Sequence, residues 1–330
     1  MRAGNASFSL ATKAKDGKTE QLSILQTGEH GFTLKDFLLG PELGRGEGGG
    51  VRIAAHRPTK VRYALKEISI GAQATRHQLA KELQMQKNCR MPYIVQLHDA
   101  FYEEGRVYLV LELMDWGSLE RLLEAQLDAT PARGGMDEGV LAVITHRIMS
   151  AICYLQEEHR IIHRDLKPGN VVMSSSGHVK LSDFGVSRVL DNDAKGLSWV
   201  GTASYMSPER LQGWDYTHKA DVWSIGIITL ECALGKHPYM PPEGNLAFFE
   251  LMQVVVVDPV PIPHDQGLSQ VFIEFVGHCL AKQESKRLST RELLHHPYLM
   301  MHIHKVRSCL CDMPQMGAYL ALSRRILGLM

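Results

Sequence analysis

The sequence has no surplus of charge, no long apolar run, no repeat and few cysteines. Its 36 Lys and Arg balance its 36 Asp and Glu, so the formal net charge is zero. A nucleic-acid binder is expected to carry a strongly basic face, and this balance argues against that class. Apolar runs such as residues 107–111 and 254–257 fall far short of the roughly 20 residues that span a membrane, so no integral membrane segment is expected. The start, Met1-Arg2-Ala3, has neither a myristoylation glycine nor an apolar signal region. Only six cysteines occur, at 89, 153, 232, 279, 309 and 311, and none has the spacing of a structural zinc site. They read as reduced thiols, which points to a cytoplasmic protein that could also enter the nucleus. The histidines are dispersed, and His295, His296, His302 and His304 read as a surface coincidence rather than a metal site. What is present is apolar mass: hydrophobic residues are 45% of the chain, enough to bury a sizeable core.

Residues 1–32 are polar and weakly periodic, which predicts a flexible tail. From Phe32 the spacing turns strand-like. Phe37-Leu38-Leu39 leads into a glycine cluster, and Val51-Arg52-Ile53-Ala54, Val61-Arg62-Tyr63-Ala64-Leu65 and residues 107–113 read as further strands. Residues 72–88 suit a helix. Beyond them the pattern is mostly helical, over residues 119–126, 140–159, 218–234, 248–257 and 271–281, with short strands at 171–172 and 179–181. The expectation is an α+β chain: a small β-rich lobe with one helix over about 33–114, a larger helical lobe over about 115–299, and an extension from 300 to 330.

Four motifs carry chemistry. Gly44, Gly46 and Gly49 form a G-x-G-x-x-G run after Leu43, with Val51 following. Such glycines let backbone N–H groups approach phosphate oxygens, although a flexible hairpin would explain the pattern equally well. A strand-like segment follows rather than a helix, which disfavours a dinucleotide site. Lys66 lies on an apolar strand, either reaching solvent or contacting phosphates and pairing with a helix carboxylate such as Glu82. Ile162-His163-Arg164-Asp165-Leu166-Lys167-Pro168-Gly169-Asn170 precedes Asp183-Phe184-Gly185. Phosphoryl transfer needs a carboxylate to accept the hydroxyl proton, oxygen ligands for Mg²⁺, and a cation for developing charge. Asp165, the pair Asn170 and Asp183, and Lys167 supply these in order.

Together these motifs resemble the eukaryotic protein kinase family over about residues 33–299. The resemblance implies a bilobal fold with ATP in the cleft. Val51 and Ala64 would cover the adenine with Val172 beneath it, Leu111 would be the gatekeeper, and Glu112 to Met114 the adenine-binding hinge. It also implies that Glu209 pairs with Arg287 and that Asp221 braces the catalytic loop.

Within that family, the segment Gly201-Thr202-Ala203-Ser204-Tyr205-Met206-Ser207-Pro208-Glu209-Arg210 closely resembles MAP kinase kinases, with plant or protist members nearer than animal ones. Glu42-Leu43-Gly44, Pro92-Tyr93-Ile94-Val95 and Met114-Asp115-Trp116-Gly117-Ser118-Leu119 fit as well. Those kinases phosphorylate a Thr and a Tyr in the activation loop of a MAP kinase. The resemblance implies that Ser198 receives a phosphate from an upstream MAP kinase kinase kinase, with Arg164 as its partner. Here the chain departs from the family: Ala194 and Asn192 stand where a second phosphoacceptor is expected, Gly169 replaces a small hydroxyl residue, and Ser182 stands where relatives often carry Cys. Single-site activation follows, with Asp191 or Asp193 as standing charge.

Lys13, Lys15 and Lys18, followed by Leu22-Ser23-Ile24, resemble a MAP kinase docking peptide, or form a solvated tail. Phe248, Phe249, Leu251 and Met252 either touch the substrate kinase or pack in the core. Tyr319, Leu320, Leu322, Ile326, Leu327 and Leu329 suggest an amphipathic helix for a C-lobe, an upstream kinase or a membrane surface. Two alternatives to the MAP kinase kinase reading are a general Ser/Thr kinase of the same cascade group and a scaffold that binds a MAP kinase.

Overall fold

A computed structural model describes residues 31–46, 49–69, 79, 83, 86–129, 135–183, 203–241, 246–263 and 267–302. The chain forms two compact units, one built around the residues up to Asn88 with Gln96–Leu113, the other around Cys89–Val95 with the residues from Met114 onward.

The first unit is an antiparallel sheet. Its strands are β1 (Phe37–Gly46), β2 (Gly49–His56), β3 (Arg62–Ser69), β4 (Leu97–Glu103) and β5 (Arg106–Glu112), in the order β1-β2-β3-β5-β4. Side chains alternate between faces along a strand, so register decides what each face carries. One face buries Phe37, Ala54, Leu65, Phe101, Tyr108 and Val110 in an aromatic cluster with Phe32. Phe37 and Phe101 stack at 6.3 Å, and Phe101 and Tyr108 at 5.2 Å. The opposite face therefore carries Val51 against Lys66, Ile53 against Ala64, Lys66 against Leu109 and Ala64 against Leu111. β4 lies outside the strands expected from sequence. It returns to β5 through Glu104 and Gly105, both at positive φ, a two-residue turn whose twist suits a hairpin. Of the helix expected over 72–88, Leu79 and Leu83 are both 2% exposed, one turn apart, and residues 86–88 are helical.

The second unit is helical around a small sheet of β6 (Gly117–Ser118), β7 (Val171–Met173) and β8 (Val179–Leu181). Its helices are α1 (Leu119–Ala129), α2 (Glu138–His159), α3 (Pro208–Leu211), α4 (Lys219–Leu234), α5 (Phe248–Met252), α6 (Gln270–Cys279), α7 (Thr290–Leu294) and α8 (Pro297–Met301). The Asp137 carboxylate caps α2 by accepting the Gly139 and Val140 amides at 2.9 and 3.2 Å. Among the described residues α2 is the helix long and apolar enough to cross a membrane, yet 72% of its most apolar stretch is buried, as in the core helix of a globular lobe. α4 packs on both α2 and α6.

The helix expected over 248–257 begins as α5 but widens to a π-helix at Gln253–Val257, where four valines follow one another. Branched side chains crowd an α-turn, and the wider helix relieves that crowding. The short helices α7 and α8 lie beyond the helical stretches expected from sequence. His237 and His296 each open a His-Pro-Tyr triplet, and in both the ring Nδ1 accepts the Tyr amide at 3.2 Å.

Gly226 marks the closest approach of α4 to α6. A Cβ there would lie 2.7 Å from the Cys279 Cβ and 2.7 Å from Leu280 Cδ2. Gly226→Ala is expected to lower stability by about 1–3 kcal/mol through overpacking, despite its better helix propensity. Urea unfolding of the full chain checks this, and an unchanged midpoint would show that the helices separate freely.

Candidate active site

In the first unit the glycine run forms the β1–β2 hairpin, with Gly44 paired to Val51 and Gly46 to Gly49. Leu43 precedes it on β1. Gly49 has φ +138°, and a Cβ there would sit 1.9 Å from the Glu67 carbonyl oxygen. Only glycine fits, so the loop backbone stays close to β3, beside Lys66. Val51, Ala64, Lys66 and Leu111 share the face opposite the aromatic cluster, the arrangement expected for an adenine roof with a phosphate-directed lysine at its end. Glu67 points to the other side and pairs with Arg106. The Glu112 N–H donates to the Gln96 carbonyl at 2.9 Å, fixing the strand end that leads to Met114. Glu82 lies outside the described residues.

In the second unit Met114 is buried, and its carbonyl accepts the Gly117 N–H at 3.2 Å. Val172 sits on β7 between Ser118 and Lys180. The loop His163–Asn170 is held from beneath by Asp221, 1% exposed on α4. One carboxylate oxygen accepts the His163 amide at 2.8 Å and the other accepts the Arg164 amide at 3.0 Å. Arg164 sits at φ +72°, a conformation few non-glycine residues adopt. Its carbonyl accepts Nη1 of Arg210 at 2.6 Å.

From this brace a hydrogen-bond chain runs to the reactive groups. The His163 ring contacts the Ser182 carbonyl at 3.2 Å, and the Ser182 N–H donates to the Asn170 carbonyl at 2.9 Å. Nδ2 of buried Asn170 donates to the Asp165 carbonyl at 2.7 Å and to Asp165 Oδ2 at 2.9 Å. Lys167 Nζ lies 3.4 Å from Asp165 Oδ1. So the structure brings Asp165, Lys167 and Asn170 together. Asp183 follows Ser182 with φ +61°, a second strained residue next to the loop. Ser198, Thr202, Phe184 and Gly185 lie outside the described residues, as do the basic docking segment and the amphipathic C-terminal segment.

Where the chain resumes at Ala203 it is pinned tightly. The Ser224 hydroxyl donates to the Tyr205 carbonyl at 2.8 Å, and the Tyr205 hydroxyl donates to Glu231 Oε2 at 2.8 Å. Burial pushes the Glu231 carboxyl up to about 7; the Tyr205 hydrogen bond opposes this and the Glu120 charge adds to it. Burial also pulls the neighbouring His237 down to about 4. Arg287, with no side-chain exposure, forks onto Glu209 at 2.8 and 3.1 Å, lies 5.3 Å from the Trp223 ring and donates to the Lys219 carbonyl. Burial alone would raise the Glu209 carboxyl, but the Arg287 hydrogen bonds and charge hold it below the ordinary value. The apolar residues of α5 divide: Leu251 is fully buried, while Phe249 is 85% exposed.

Sequence reasoning found Asp221, Glu209 and Arg287 but missed Arg210, Tyr205 and Glu231. Their signal is three-dimensional, because each acts through a backbone or ring brought close only by the fold.

One unit is a strand sheet with a glycine hairpin and a strand lysine, the other a helical unit with a braced Asp-Lys-Asn loop; these are the parts of a protein kinase, and the protein kinase domain family matches residues 37–299. Mitogen-activated protein kinase kinase 1 of Arabidopsis thaliana is 38% identical over 82% of this chain and 76% of its own length. Mitogen-activated protein kinase kinase 1c of Physcomitrium patens is 40% identical over 82% and 78%. The dual specificity mitogen-activated protein kinase kinase dSOR1 of Drosophila melanogaster is 37% identical over 78% and 69%. The chain belongs to the MAP kinase kinase family of protein kinases. The plant leaning of its motifs agrees, by a narrow margin, with these identities.

Two outcomes follow from the buried charges. Arg287→Met would leave the Glu209 carboxylate buried without its partner, and a loss of about 3–5 kcal/mol is expected in denaturant unfolding. A loss below about 1 kcal/mol would mean that water replaces the guanidinium. For Glu231, an acid whose folded pKa is raised binds its proton more tightly in the folded state. Stability is therefore lost as pH rises from the ordinary Glu range through about 7. Glu231→Gln removes that dependence, so its melting temperature should rise relative to the parent between pH 5 and pH 8. A constant difference across that range would mean that Glu231 titrates normally.

Proposed function

We propose that this kinase transfers the γ-phosphoryl group of Mg·ATP to Thr and Tyr in the activation loop of a MAP kinase. An upstream MAP kinase kinase kinase switches it on by phosphorylating Ser198. The observation that carries the chemical part is the Asn170 amide held on both the carbonyl and the carboxylate of Asp165, with Lys167 alongside.

That arrangement gives each group one task. Asn170 fixes the Asp165 side chain, so Oδ1 is presented to an incoming hydroxyl and accepts its proton. The γ-phosphate of ATP is the electrophile, and Mg²⁺ neutralises charge on the phosphates when bound. Both N–H groups of the Asn170 amide are directed at Asp165, which leaves its carbonyl oxygen as the ligand. Together with the Asp183 carboxylate this makes the small oxygen set that Mg²⁺ uses beside phosphates. No cluster of three or more His, Cys, Asp or Glu exists among the described residues, in keeping with a metal held largely by its nucleotide. Lys167 neutralises charge that develops on the transferred group, and Lys66 steadies the phosphates from the sheet. The hydroxyl accepted by Asp165 carries no demand for Ser or Thr alone, which suits acceptance of both Thr and Tyr. The balanced charge and reduced cysteines favour a cytoplasmic setting.

The test uses the purified chain, Mg·ATP and a catalytically inactive MAP kinase bearing a Thr-x-Tyr loop, with phosphates mapped by mass spectrometry. Label on both Thr and Tyr is expected, absent with Asp183→Ala, and raised by an upstream kinase in the parent but not in Ser198→Ala. Label only on Ser or Thr elsewhere would favour a general Ser/Thr kinase. No transfer, even after upstream treatment, would favour a scaffold.

A further inference from the structure

Glu120 stands in the first turn of α1, and α1 packs on the single turn Pro168–Asn170 that follows Lys167. Its carboxylate lies over the backbone of Gly169. A Cβ on that glycine would be 3.1 Å from Oε2, 3.7 Å from Cδ and 3.9 Å from Oε1, so the whole carboxylate lies against this one residue of the loop. An acid in the first turn of a helix is ordinarily favoured by the helix dipole, which lowers its pKa. Glu120 goes the other way. Desolvation raises its carboxyl, the Glu124 charge one turn along raises it further, and the Lys167 charge opposes both. Capping of α1 therefore does not account for this carboxylate, and its neighbour on the loop does.

Lys167 is the cation in that field, and its pairing with the proton acceptor is loose. Nζ lies 3.4 Å from Asp165 Oδ1, longer than the roughly 2.7–2.9 Å of a close charge-assisted hydrogen bond. Asp165 Oδ2 by contrast accepts the Asn170 amide at 2.9 Å. We propose that Glu120 is a positioning residue for phosphoryl transfer: its carboxylate draws Lys167 away from Asp165, so that Oδ1 stays open to the acceptor hydroxyl and the ammonium stays turned towards the transferred phosphoryl group. The inference rests on the roles of Asp165 and Lys167 given above. Glu120 acts through its field, with no ion pair of its own among the described residues. Lys167 carries a compact charge on a flexible four-carbon stem, so it settles where two opposing pulls balance. With the Glu120 charge removed, the ammonium closes on Oδ1 and competes with the hydroxyl for the same lone pairs. Glu124 on α1, Glu231 on α4 and Tyr205 also share the Glu120 field, and none of them is a cation. Gly169 completes the arrangement, because a side chain there would press on the carboxylate.

The test replaces Glu120 by Gln, which keeps the shape and removes the charge, and follows transfer by the full chain to the inactive MAP kinase. At about pH 8, Glu120→Gln should lower kcat about tenfold and leave KM for ATP unchanged. The two proteins should converge on acidification towards about pH 5, where Glu120 of the parent gains its proton and loses its pull. Glu120→Asp keeps the charge and should recover part of the loss. Gly169→Ala should lower kcat less than Glu120→Gln does, and should add nothing to it in the double variant, since both act through one carboxylate. Circular dichroism melts establish that each variant is folded. A second readout needs no activity. In ¹³C NMR of the carboxyl-labelled chain, the Glu120 resonance is the one that Glu120→Gln removes, and Lys167→Met should raise its titration midpoint. The proposal is overturned if that midpoint does not move in Lys167→Met, if kcat of Glu120→Gln matches the parent, or if its deficit is the same at every pH. A loss that falls on KM for the MAP kinase would also overturn it, and make Glu120 a substrate contact. A parent that transfers no phosphate while the midpoint still shifts would instead overturn the phosphoryl-transfer reading, and this role with it.

Discussion

The catalytic loop depends on one buried carboxylate. Asp221 sits on α4, the helix packed between α2 and α6, and spends both oxygens on backbone amides of His163 and Arg164. Left unpaired, a carboxylate that deep would cost several kcal/mol, so the loop and the helix are each the other's condition for stability. Arg164, the second of the two residues Asp221 holds, sits in the left-handed region, a strained conformation that the surrounding hydrogen bonds keep in place. Asn170 then holds Asp165 through both its carbonyl and its carboxylate.

The same economy recurs at the far end of the activation segment. Glu209 and Arg287 are buried, but each satisfies the other, and Trp223 and two backbone carbonyls take up the remaining guanidinium surface. Glu231 is treated differently. Among the described residues it has a hydroxyl donor from Tyr205 and no cation, so burial wins and its carboxyl is drawn towards neutrality. Fully paired charge anchors Glu209 to Arg287, and partly paired charge lies against Tyr205, just after the chain resumes at Ala203.

Much of this was legible in the sequence because the chemistry permits few alternatives. The Asp, Lys and Asn of the loop, the Gly hairpin and the strand lysine are residue types that phosphoryl transfer requires at fixed spacing. The helices α2, α4 and α6 followed from apolar period, to within a few residues at their ends. Strand β4 was missed because Leu97-His98-Asp99-Ala100 interrupts the alternation with a buried acid; Asp99 is 2% exposed and accepts the Ala100 amide itself at 2.9 Å. Arg210 was legible only as a motif letter. Its partner is a backbone carbonyl 46 positions away, and no local pattern encodes that distance. Glu82 and Ser198 fall outside the described residues, so their roles rest on the sequence.

Gly169 shows how a departure from a family pattern can be locally consistent. A Cβ at that position would lie 3.1 Å from Oε2 of Glu120, so the hydroxyl residue common there in the family would require that carboxylate to shift by a few tenths of an ångström. Desolvation beside the loop raises the Glu120 carboxyl, the Glu124 charge raises it further, and Lys167 pulls it back. Lys167 thus feels Asp165 on one side and Glu120 on the other. A glycine leaves room for the second carboxylate without clash, whereas a serine would compete with it for the same space. The substitution at 169 and the acid at 120 are therefore one feature rather than two, and the feature acts on Lys167, the cation beside the Asp165 carboxylate.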